Sequence, residues 1–382
     1  MKFKHFSFSL LLAINCLLLS EIEIRKIIPP KLNEENLGKK ILCYRPMRRE
    51  CPRMEVEFLG DKVVAHNYGH GGSGWTLGPG SANYVNDLLL KKCPEITKET
   101  PITIIGAGIL GLFTAYDLVN KGFTNLTIVA DKTENLTSHN AGGLIAPVSM
   151  DNDPRLKDIQ NVIEKVGIDA YKFYESIAKN QNSIIKDGAI IVPTYFRNRE
   201  ESGLEPYVGK VMQPAKDVVL DFSNGKTQVM VSYDDGIFVN TPKLMTELNK
   251  YLKPLVKFEK KHVNSFSEIE TKYIINCSGL GSKNLNNDNK MVSVQGHLIM
   301  LKDQEPKDLN YMLLVYFDES KNKNGQKVKR SFYIFPKQLE NAEANDIGVV
   351  GGTFIENADE STPNEEEFDT MISNAKKFYG IG

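Results

Sequence analysis

The stretch Pro101-Ile102-Thr103-Ile104-Ile105-Gly106-Ala107-Gly108-Ile109-Leu110-Gly111 decides the fold of this chain. It opens with a short apolar run typical of a buried β-strand, and a helical pattern follows from Leu112 to Lys121. The glycine spacing predicts a tight turn between strand and helix. The first glycine permits the turn, the second lets the backbone approach a pyrophosphate, and the third lets helix and strand pack closely. Free amides at the helix start would then face the phosphates.

A second apolar strand, residues 126–130, ends at Asp131. An acidic side chain at the end of the second strand is placed to bond a ribose hydroxyl. Strand, helix, second strand and acid together predict a unit that binds an adenine dinucleotide. This unit alone does not distinguish FAD from NAD, because both bind through the same backbone geometry.

Three more segments are rich in small residues. One contains Ala141-Gly142-Gly143-Leu144, and another is a buried-strand pattern at 272–277 that ends in Ser278-Gly279. The third, His66-Asn67-Tyr68-Gly69-His70-Gly71-Gly72-Ser73-Gly74, lies upstream of the other two. Because glycine has no side chain, such segments let a backbone pass close to a flat ligand.

Together these segments resemble the D-amino-acid oxidase family of FAD-dependent amino-acid oxidases, but in a different order. The segment 66–74 resembles the family's closing flavin loop, yet it precedes the motif at Gly106, and each family segment occurs once. The resemblance therefore implies a circularly permuted α/β fold. It would combine a Rossmann-like FAD-binding domain with a mostly antiparallel α+β substrate-binding domain.

The implied domain boundaries follow from this order. Residues 29–92 would be the relocated C-terminal segment, with the substrate arginine, the flavin loop and a helix. Residues 101–290 would form mainly the FAD-binding domain, with part of the substrate domain at about 180–240. Residues 291–382 would complete the substrate-binding sheet. Joining and cutting of this kind are tolerated where chain ends are neighbours.

The resemblance also implies the roles of single residues. Arg45 matches the family's carboxylate-binding arginine, Tyr333 the tyrosine that supports the same carboxylate, and Gly72 the position whose carbonyl receives the substrate ammonium. His70 is expected to shape the flavin loop rather than to act as a base. The residues expected to bind FAD are Gly71, Gly72, Ser73, Gly74, Trp75, Thr76, Gly106, Ala107, Gly108, Ile109, Leu110, Gly111, Asp131, Ala141, Gly142, Gly143, Leu144, Ser278 and Gly279.

The implied function is FAD-dependent oxidative deamination of a D-amino acid or glycine to an imine or 2-oxo acid, ammonia and hydrogen peroxide, with oxygen as the second substrate. Two alternatives stay open: a related FAD-dependent amine or amino-acid dehydrogenase, and a non-catalytic flavin-binding protein. Lys329 stands where some family members carry a lid tyrosine, and with Arg330 it suggests an acidic substrate. The charged stretch 318–330 is expected to be a solvated loop or lid.

Composition narrows the other possibilities. A net charge of −1 with scattered basic residues argues against nucleic-acid binding and favours small-molecule partners. No cysteine or histidine spacing indicates a metal site, and Cys43 and Cys51 are either bridged or, as we prefer, unpaired. Residues 1–20 have a basic start and an apolar run, which favours a signal peptide or membrane anchor, and export or tethering, over a buried helix in a cytoplasmic protein.

Overall fold

The computed structural model describes residues 22–358 and 364–382 of the chain. The signal peptide or anchor expected at 1–20 therefore lies outside the described residues. In chain order the strands are β1 (Glu23–Lys26), β2 (Leu37–Arg48), β3 (Arg53–Leu59), β4 (Lys62–Tyr68), β5 (Ile102–Ile105), β6 (Leu126–Ala130), β7 (Ala189–Ile191), β8 (Thr194–Phe196), β9 (Lys216–Asp221), β10 (Thr227–Tyr233), β11 (Ile237–Val239), β12 (Lys257–Lys260), β13 (Tyr273–Asn276), β14 (Met291–Leu301), β15 (Met312–Tyr316), β16 (Ser320–Lys321), β17 (Lys327–Gln338) and β18 (Ile347–Glu356). The α-helices are α1 (Gly74–Lys92), α2 (Ile109–Asn120), α3 (Thr137–Asn140), α4 (Lys157–Ala178), α5 (Thr241–Leu252), α6 (Ser282–Leu285) and α7 (Glu366–Tyr379).

One sheet, which we call the nucleotide sheet, has six strands in the order β12-β6-β5-β13-β4-β3. Neighbouring strands are parallel, except that β3 runs antiparallel to β4. Strand β4 comes from the N-terminal segment and pairs with β13, so that Val64 lies opposite Ile274. The carboxyl ends of β4, β5, β6 and β13 consequently lie along one edge, where ligands bind in open parallel sheets.

Helices α1 and α2 pack on this sheet and on each other, and their inner residues form the largest apolar core. Helix α1 begins at Gly74, so the last glycine of the segment 66–74 is already helical. The glycines in its first turns allow the helix to pack closely against neighbouring residues. A Cβ on Gly78 would lie 2.8 Å from the Phe113 ring, and one on Gly80 would lie 1.9 Å from the Val166 carbonyl oxygen.

The other large sheet, which we call the substrate sheet, has ten strands, nine of them in the order β1-β9-β10-β8-β15-β17-β18-β14-β2, with β16 beside β17. Its pairs are antiparallel apart from β1 with β9 and β8 with β15. Strand β17 has two different faces. Phe332 and Ile334 join the core that includes residues of α7, whereas Tyr333 and Phe335 lie on the opposite face. The mixed α/β class expected from the sequence is confirmed.

Three local outcomes complete the fold. The charged stretch 318–330 is a β-hairpin rather than a loop, because β16 pairs with the start of β17. Cys43, Cys51, Cys93 and Cys277 are all buried and free, so the unpaired alternative for Cys43 and Cys51 is confirmed. Within residues 22–358 and 364–382, no helix combines the length and the apolar character that a membrane span requires.

Candidate active site

Two contiguous cavities lie along the carboxyl edge of the nucleotide sheet. The outer cavity, of about 400 Å³, covers the ends of β5, β6 and β13. The inner cavity, of about 390 Å³, lies between that edge and the substrate sheet. Gly108, Ser138, Cys277 and Gly279 line both cavities, so the two volumes meet. The shape suits an elongated ligand with one part in each cavity.

The glycines at the start of α2 have the geometry that their spacing predicts. Gly106 has a φ of 111°, and a Cβ on it would lie 2.5 Å from the carbonyl oxygen of Cys277. A Cβ on Gly111 would lie 1.9 Å from the carbonyl oxygen of Gly106. Around Gly108, by contrast, a Cβ would meet only the Ser138 hydroxyl, at 3.4 Å. The space in front of Gly108 therefore belongs to the cavities.

Polar side chains fix the walls of the outer cavity. Asp131 stands at the end of β6, with its Oδ2 3.4 Å from Nδ1 of His262. The hydroxyl of Ser278 donates to Oδ1 of Asn276 over 2.7 Å, which holds the turn after β13. The outer cavity thus presents a carboxylate and backbone amides, which are the groups that a ribose and a pyrophosphate require.

Tight backbone packing shapes the inner cavity. The amide of Gly72 donates to the carbonyl oxygen of Ser149 over 2.7 Å, and a Cβ on Gly72 would lie 2.6 Å from the Cβ of Ser149. On another wall, a Cβ on Gly142 would lie 2.9 Å from the Phe335 ring, and Gly143 has a φ of 108°. Side chains at Gly72 and Gly142 would therefore collide with neighbouring residues at the edge of the cavity.

Most of the residues expected to bind the cofactor line one of these cavities, and three do not. The lining residues are Gly71, Gly72, Gly74, Trp75, Gly106, Ala107, Gly108, Ile109, Leu110, Asp131, Ala141, Gly142, Gly143, Leu144, Ser278 and Gly279. Ser73 and Thr76 instead donate to the carbonyl oxygens of Val148 and Ala146, at 2.5 Å and 2.9 Å. Gly111 packs α2 against the preceding turn. These three residues support the cavity walls without lining them.

Arg45 reaches the inner cavity from β2. Its Nη1 donates to the carbonyl oxygen of Thr353 over 3.0 Å, and a Cβ on Gly296 would lie 2.3 Å from its Nη2. Within the described part of the chain, no carboxylate lies within 4.0 Å of this guanidinium. A half-buried guanidinium that faces a cavity can bind an anion there, because pairing offsets the cost of burying its charge.

Tyr333 lines the same cavity and is held by its neighbours. Its ring stacks on Phe335 with centroids 4.4 Å apart and planes 7° apart. A Cβ on Gly351 would lie 2.2 Å from Cζ of Tyr333, so only glycine leaves room for this ring. Burial raises the pKa of Tyr333, while the neighbouring Arg45 opposes that rise. The hydroxyl therefore stays protonated and can donate a hydrogen bond at neutral pH.

His70 also lines the inner cavity, but its chemistry is not that of a general base. The residue is 1% exposed, and neither ring nitrogen has a hydrogen-bond partner among residues 22–358 and 364–382. Burial lowers the pKa of His70 to about 3, so the ring is neutral at physiological pH. Such a weakly basic imidazole is a poor proton acceptor but can bond a bound ligand.

Lys337 is a residue that the sequence analysis missed. It is fully buried, and its Nζ donates to the carbonyl oxygens of His139 and Ala141 and to Oγ1 of Thr241, at 3.0, 2.7 and 2.6 Å. These bonds hold the segment that leads into Gly142. The sequence did contain a signal for this position. Residues an even number apart on a strand share a face, and Lys337 is four residues beyond Tyr333.

The buried ammonium of Lys337 predicts a pH dependence of stability. Burial lowers the pKa of Lys337 to about 7, whereas an unfolded chain keeps this proton up to about pH 10.4. The unfolded state thus binds more protons between these values, and stability from this site rises with pH across that window. We expect the free energy of unfolding of wild type, relative to Lys337→Met, to increase by up to about 1.4 kcal/mol per pH unit between pH 7 and 9.

Urea titrations at several pH values measure this difference. The exposed Lys253 provides a matched control, because Lys253→Met removes a solvated ammonium and should run parallel to wild type. Parallel pH profiles of wild type and Lys337→Met would contradict the assignment.

Lys329 and Arg330, which suggested an acidic substrate, are both paired with carboxylates. Arg330 points towards α7, where Nε and Nη2 bond both oxygens of the fully buried Glu367 at 2.8 and 2.7 Å. Lys329 is 60% exposed and lies 3.2 Å from Glu319. Both residues line the inner cavity, each with a carboxylate partner.

Known proteins share this sequence pattern. Residues 101–381 match a family described as "FAD dependent oxidoreductase" (DAO). A D-amino-acid oxidase of Dictyostelium discoideum is 26% identical over 218 residues, which make up 54% of this chain and 59% of that protein. The match thus spans less than two thirds of that relative's length.

Some solved structures are also similar to this chain. L-proline dehydrogenase from P. horikoshii is 14% identical, with 74% of this chain and 77% of that chain covered and a TM-score of 0.48. Iminodiacetate oxidase from Chelativorans sp. BNC1 is 13% identical, with 73% and 79% covered and a TM-score of 0.48.

Proposed function

Because the chain belongs to the DAO family of FAD-dependent oxidoreductases, we propose that it oxidatively deaminates a D-amino acid with a neutral side chain, or glycine. The products would be hydrogen peroxide and an imine that hydrolyses to a 2-oxo acid and ammonia. The D configuration follows the similarity to a D-amino-acid oxidase. The observation that carries the proposal is that Arg45 and Tyr333 face one cavity, and that no carboxylate of the described chain pairs with Arg45.

FAD is the cofactor of this family, and the residues present fit it. Gly108, at the junction of the two cavities, has no side chain to fill the space in front of it. Asp131 and the first amides of α2 would hold the ribose and pyrophosphate in the outer cavity. His70, whose buried ring nitrogens lack a partner in the described chain, lines the inner cavity that would hold the flavin ring.

The chemistry that FAD supplies when bound is acceptance of the α-hydrogen with two electrons. The residues of this chain supply orientation, which can account for a large part of a rate enhancement. The planar guanidinium of Arg45 grips both oxygens of a carboxylate, the Tyr333 hydroxyl adds a further donor, and the Gly72 carbonyl accepts from the substrate ammonium. The substrate ammonium must also lose one proton as the imine forms, and this proton goes to solvent, because the weakly basic His70 does not take it.

The remaining wall of the inner cavity favours a neutral side chain. Leu298, Leu314 and Phe354 line it without charge, and Lys329 and Arg330 line the same cavity. Because Arg330 is bonded to Glu367 and Lys329 to Glu319, an acidic side chain would have to compete for either cation with a carboxylate already in place.

Anaerobic mixing tests this function. We expect D-alanine to reduce the bound flavin at least about tenfold faster than D-aspartate does, because burying an unpaired carboxylate costs several kcal/mol. The absorbance of the oxidised flavin is followed after mixing with D-alanine, D-aspartate, glycine and L-alanine at equal concentrations. Faster reduction by D-aspartate would contradict the neutral-substrate proposal, and no reduction by any amino acid would leave only flavin binding.

Oxygen as the electron acceptor is tested separately. The reduced protein is mixed with air-saturated buffer, and hydrogen peroxide is measured as the flavin reoxidises. Peroxide formed in step with reoxidation supports an oxidase. A flavin that stays reduced in air but is reoxidised by an artificial dye identifies a dehydrogenase instead.

We also propose that the chain is a circular permutation of its family's order. The family match starts at residue 101, while the segment before it supplies β2 to the substrate sheet and β4 to the nucleotide sheet. Both ends of the fold approach the β9–β10 hairpin. The amide of Ile27 donates to the carbonyl oxygen of Asp221, and Nδ2 of Asn224 donates to the carbonyl oxygen of Tyr379, each over 2.9 Å. Ends that meet at one hairpin support such a rearrangement.

A further inference from the structure

Tyr316 is the last residue of β15 and lines the inner cavity. Along β15, Leu313 and Val315 join the core beneath the substrate sheet, so Leu314 and Tyr316 lie on the opposite face. Strand β17 runs antiparallel beside it, with Leu314 opposite Tyr333. Tyr316 and Tyr333 are therefore diagonal neighbours on one face, a relation that places side chains roughly 7–8 Å apart.

Tyr316 is half-buried, and within the described part of the chain its hydroxyl forms no hydrogen bond. A tyrosine hydroxyl at a cavity wall that has no protein partner can donate to a bound ligand. Burial and, to a smaller extent, the Glu201 carboxylate raise the pKa of Tyr316 to about 12, against the opposing effect of Arg45. The group is therefore a neutral donor at physiological pH, and it lies within electrostatic reach of Arg45.

We infer that Tyr316 binds the substrate, donating a hydrogen bond to the same carboxylate that Arg45 and Tyr333 hold. This inference rests on the proposed function, in which the inner cavity receives an amino-acid carboxylate. It gives the chain a second phenol although Lys329 stands where some relatives have a lid tyrosine. Here the second phenol comes from a neighbouring strand of the sheet rather than from the hairpin that carries Lys329.

The position of the Tyr316 hydroxyl on a strand affects how the substrate binds. A donor on a paired strand is already in place before the substrate arrives, so less ordering is needed when the ligand binds. Lys329, in contrast, is exposed and bonded to Glu319 on the hairpin. The carboxylate site is thus complete without any movement of the hairpin.

The test replaces Tyr316 with phenylalanine, which removes only the hydroxyl. FAD-loaded wild type and Tyr316→Phe are titrated with benzoate, a simple aromatic carboxylate, and the change in flavin absorbance gives the dissociation constant. We expect the dissociation constant to rise about tenfold or more, as for loss of a hydrogen bond to a charged group. The apparent dissociation constant of D-alanine, from anaerobic flavin reduction, should rise by a similar factor.

Tyr251→Phe is the matched control, because the Tyr251 hydroxyl bonds Asn120 and lines neither cavity. It should bind benzoate as wild type does. Unchanged benzoate and D-alanine affinities in Tyr316→Phe would overturn the inference while leaving the proposed function intact. If no amino acid reduces the wild-type flavin, the proposed function fails, and the benzoate titration still decides the role of Tyr316. A wild-type protein that binds no carboxylate would overturn both.

Discussion

Arg45→Ala is expected to lower kcat/KM for D-alanine by about a hundredfold to a thousandfold while leaving FAD bound. In wild type the guanidinium faces the inner cavity, and no carboxylate of the described chain competes for it. Removing one member of a desolvated charge pair costs roughly 2–5 kcal/mol, because the other charge is left unpaired. Steady-state rates and the flavin content of the purified variant measure the two effects independently.

Two further variants sharpen this result. Arg49→Ala removes a cation from the same segment that is 51% exposed and paired with Glu356 over 3.0 Å, and it should leave kcat/KM nearly unchanged. Arg45→Lys keeps the charge but not the planar fork, so it should recover only part of the lost activity. Wild-type affinity for D-alanine in Arg45→Ala would remove Arg45 from the substrate site.

Gly108→Val is expected to give a folded protein that binds FAD more weakly. A Cβ on Gly108 would meet only the Ser138 hydroxyl at 3.4 Å, so the protein itself accommodates a side chain there. The added atoms would instead occupy the junction of the two cavities, where the dinucleotide has to pass. Overpacking typically costs 1–3 kcal/mol or more, which weakens FAD binding by about tenfold to a hundredfold. Titration of the apoprotein with FAD measures this affinity, and circular dichroism reports the fold.

Gly111→Ala is the contrasting variant, because a Cβ there would lie 1.9 Å from the Gly106 carbonyl oxygen. We expect it to lose stability as well as FAD, since β5 and α2 must move apart. If Gly108→Val binds FAD with wild-type affinity, the dinucleotide does not run across Gly108.

Local sequence patterns predicted the part of the site that depends on short-range structure. The β5–α2–β6 unit is continuous in the chain, so glycine spacing and an acid after the second strand were enough to place Gly108 and Asp131 at one edge. The resemblance to a family placed Arg45 and Tyr333, which the structure brings to one cavity although they are far apart in sequence.

The features of the site that were not predicted depend on which face of a strand each residue occupies and on contacts between residues far apart in sequence. Lys329 and Arg330 line the inner cavity, as their position in the sequence suggested, but their carboxylate partners Glu319 and Glu367 were not predicted. Tyr316 and Lys337 enter the site region only through the pairing and facing of β15 and β17, which no local motif encodes. The hairpin at 318–330 was missed because its charged residues mask an alternating pattern that buries Val328.

The pairing of β4 with β13 also governs how the protein is made. His66 and Asn276, which bond across these strands, are separated by 210 residues of chain. At typical synthesis rates, β4 leaves the ribosome roughly 10–40 s before its partner. Such non-local parallel pairing forms slowly, and until it forms the apolar β4 is open to wrong contacts. Assembly of the cofactor pocket is therefore a late event of biogenesis, and yields of folded protein should respond to chaperone and riboflavin supply during expression.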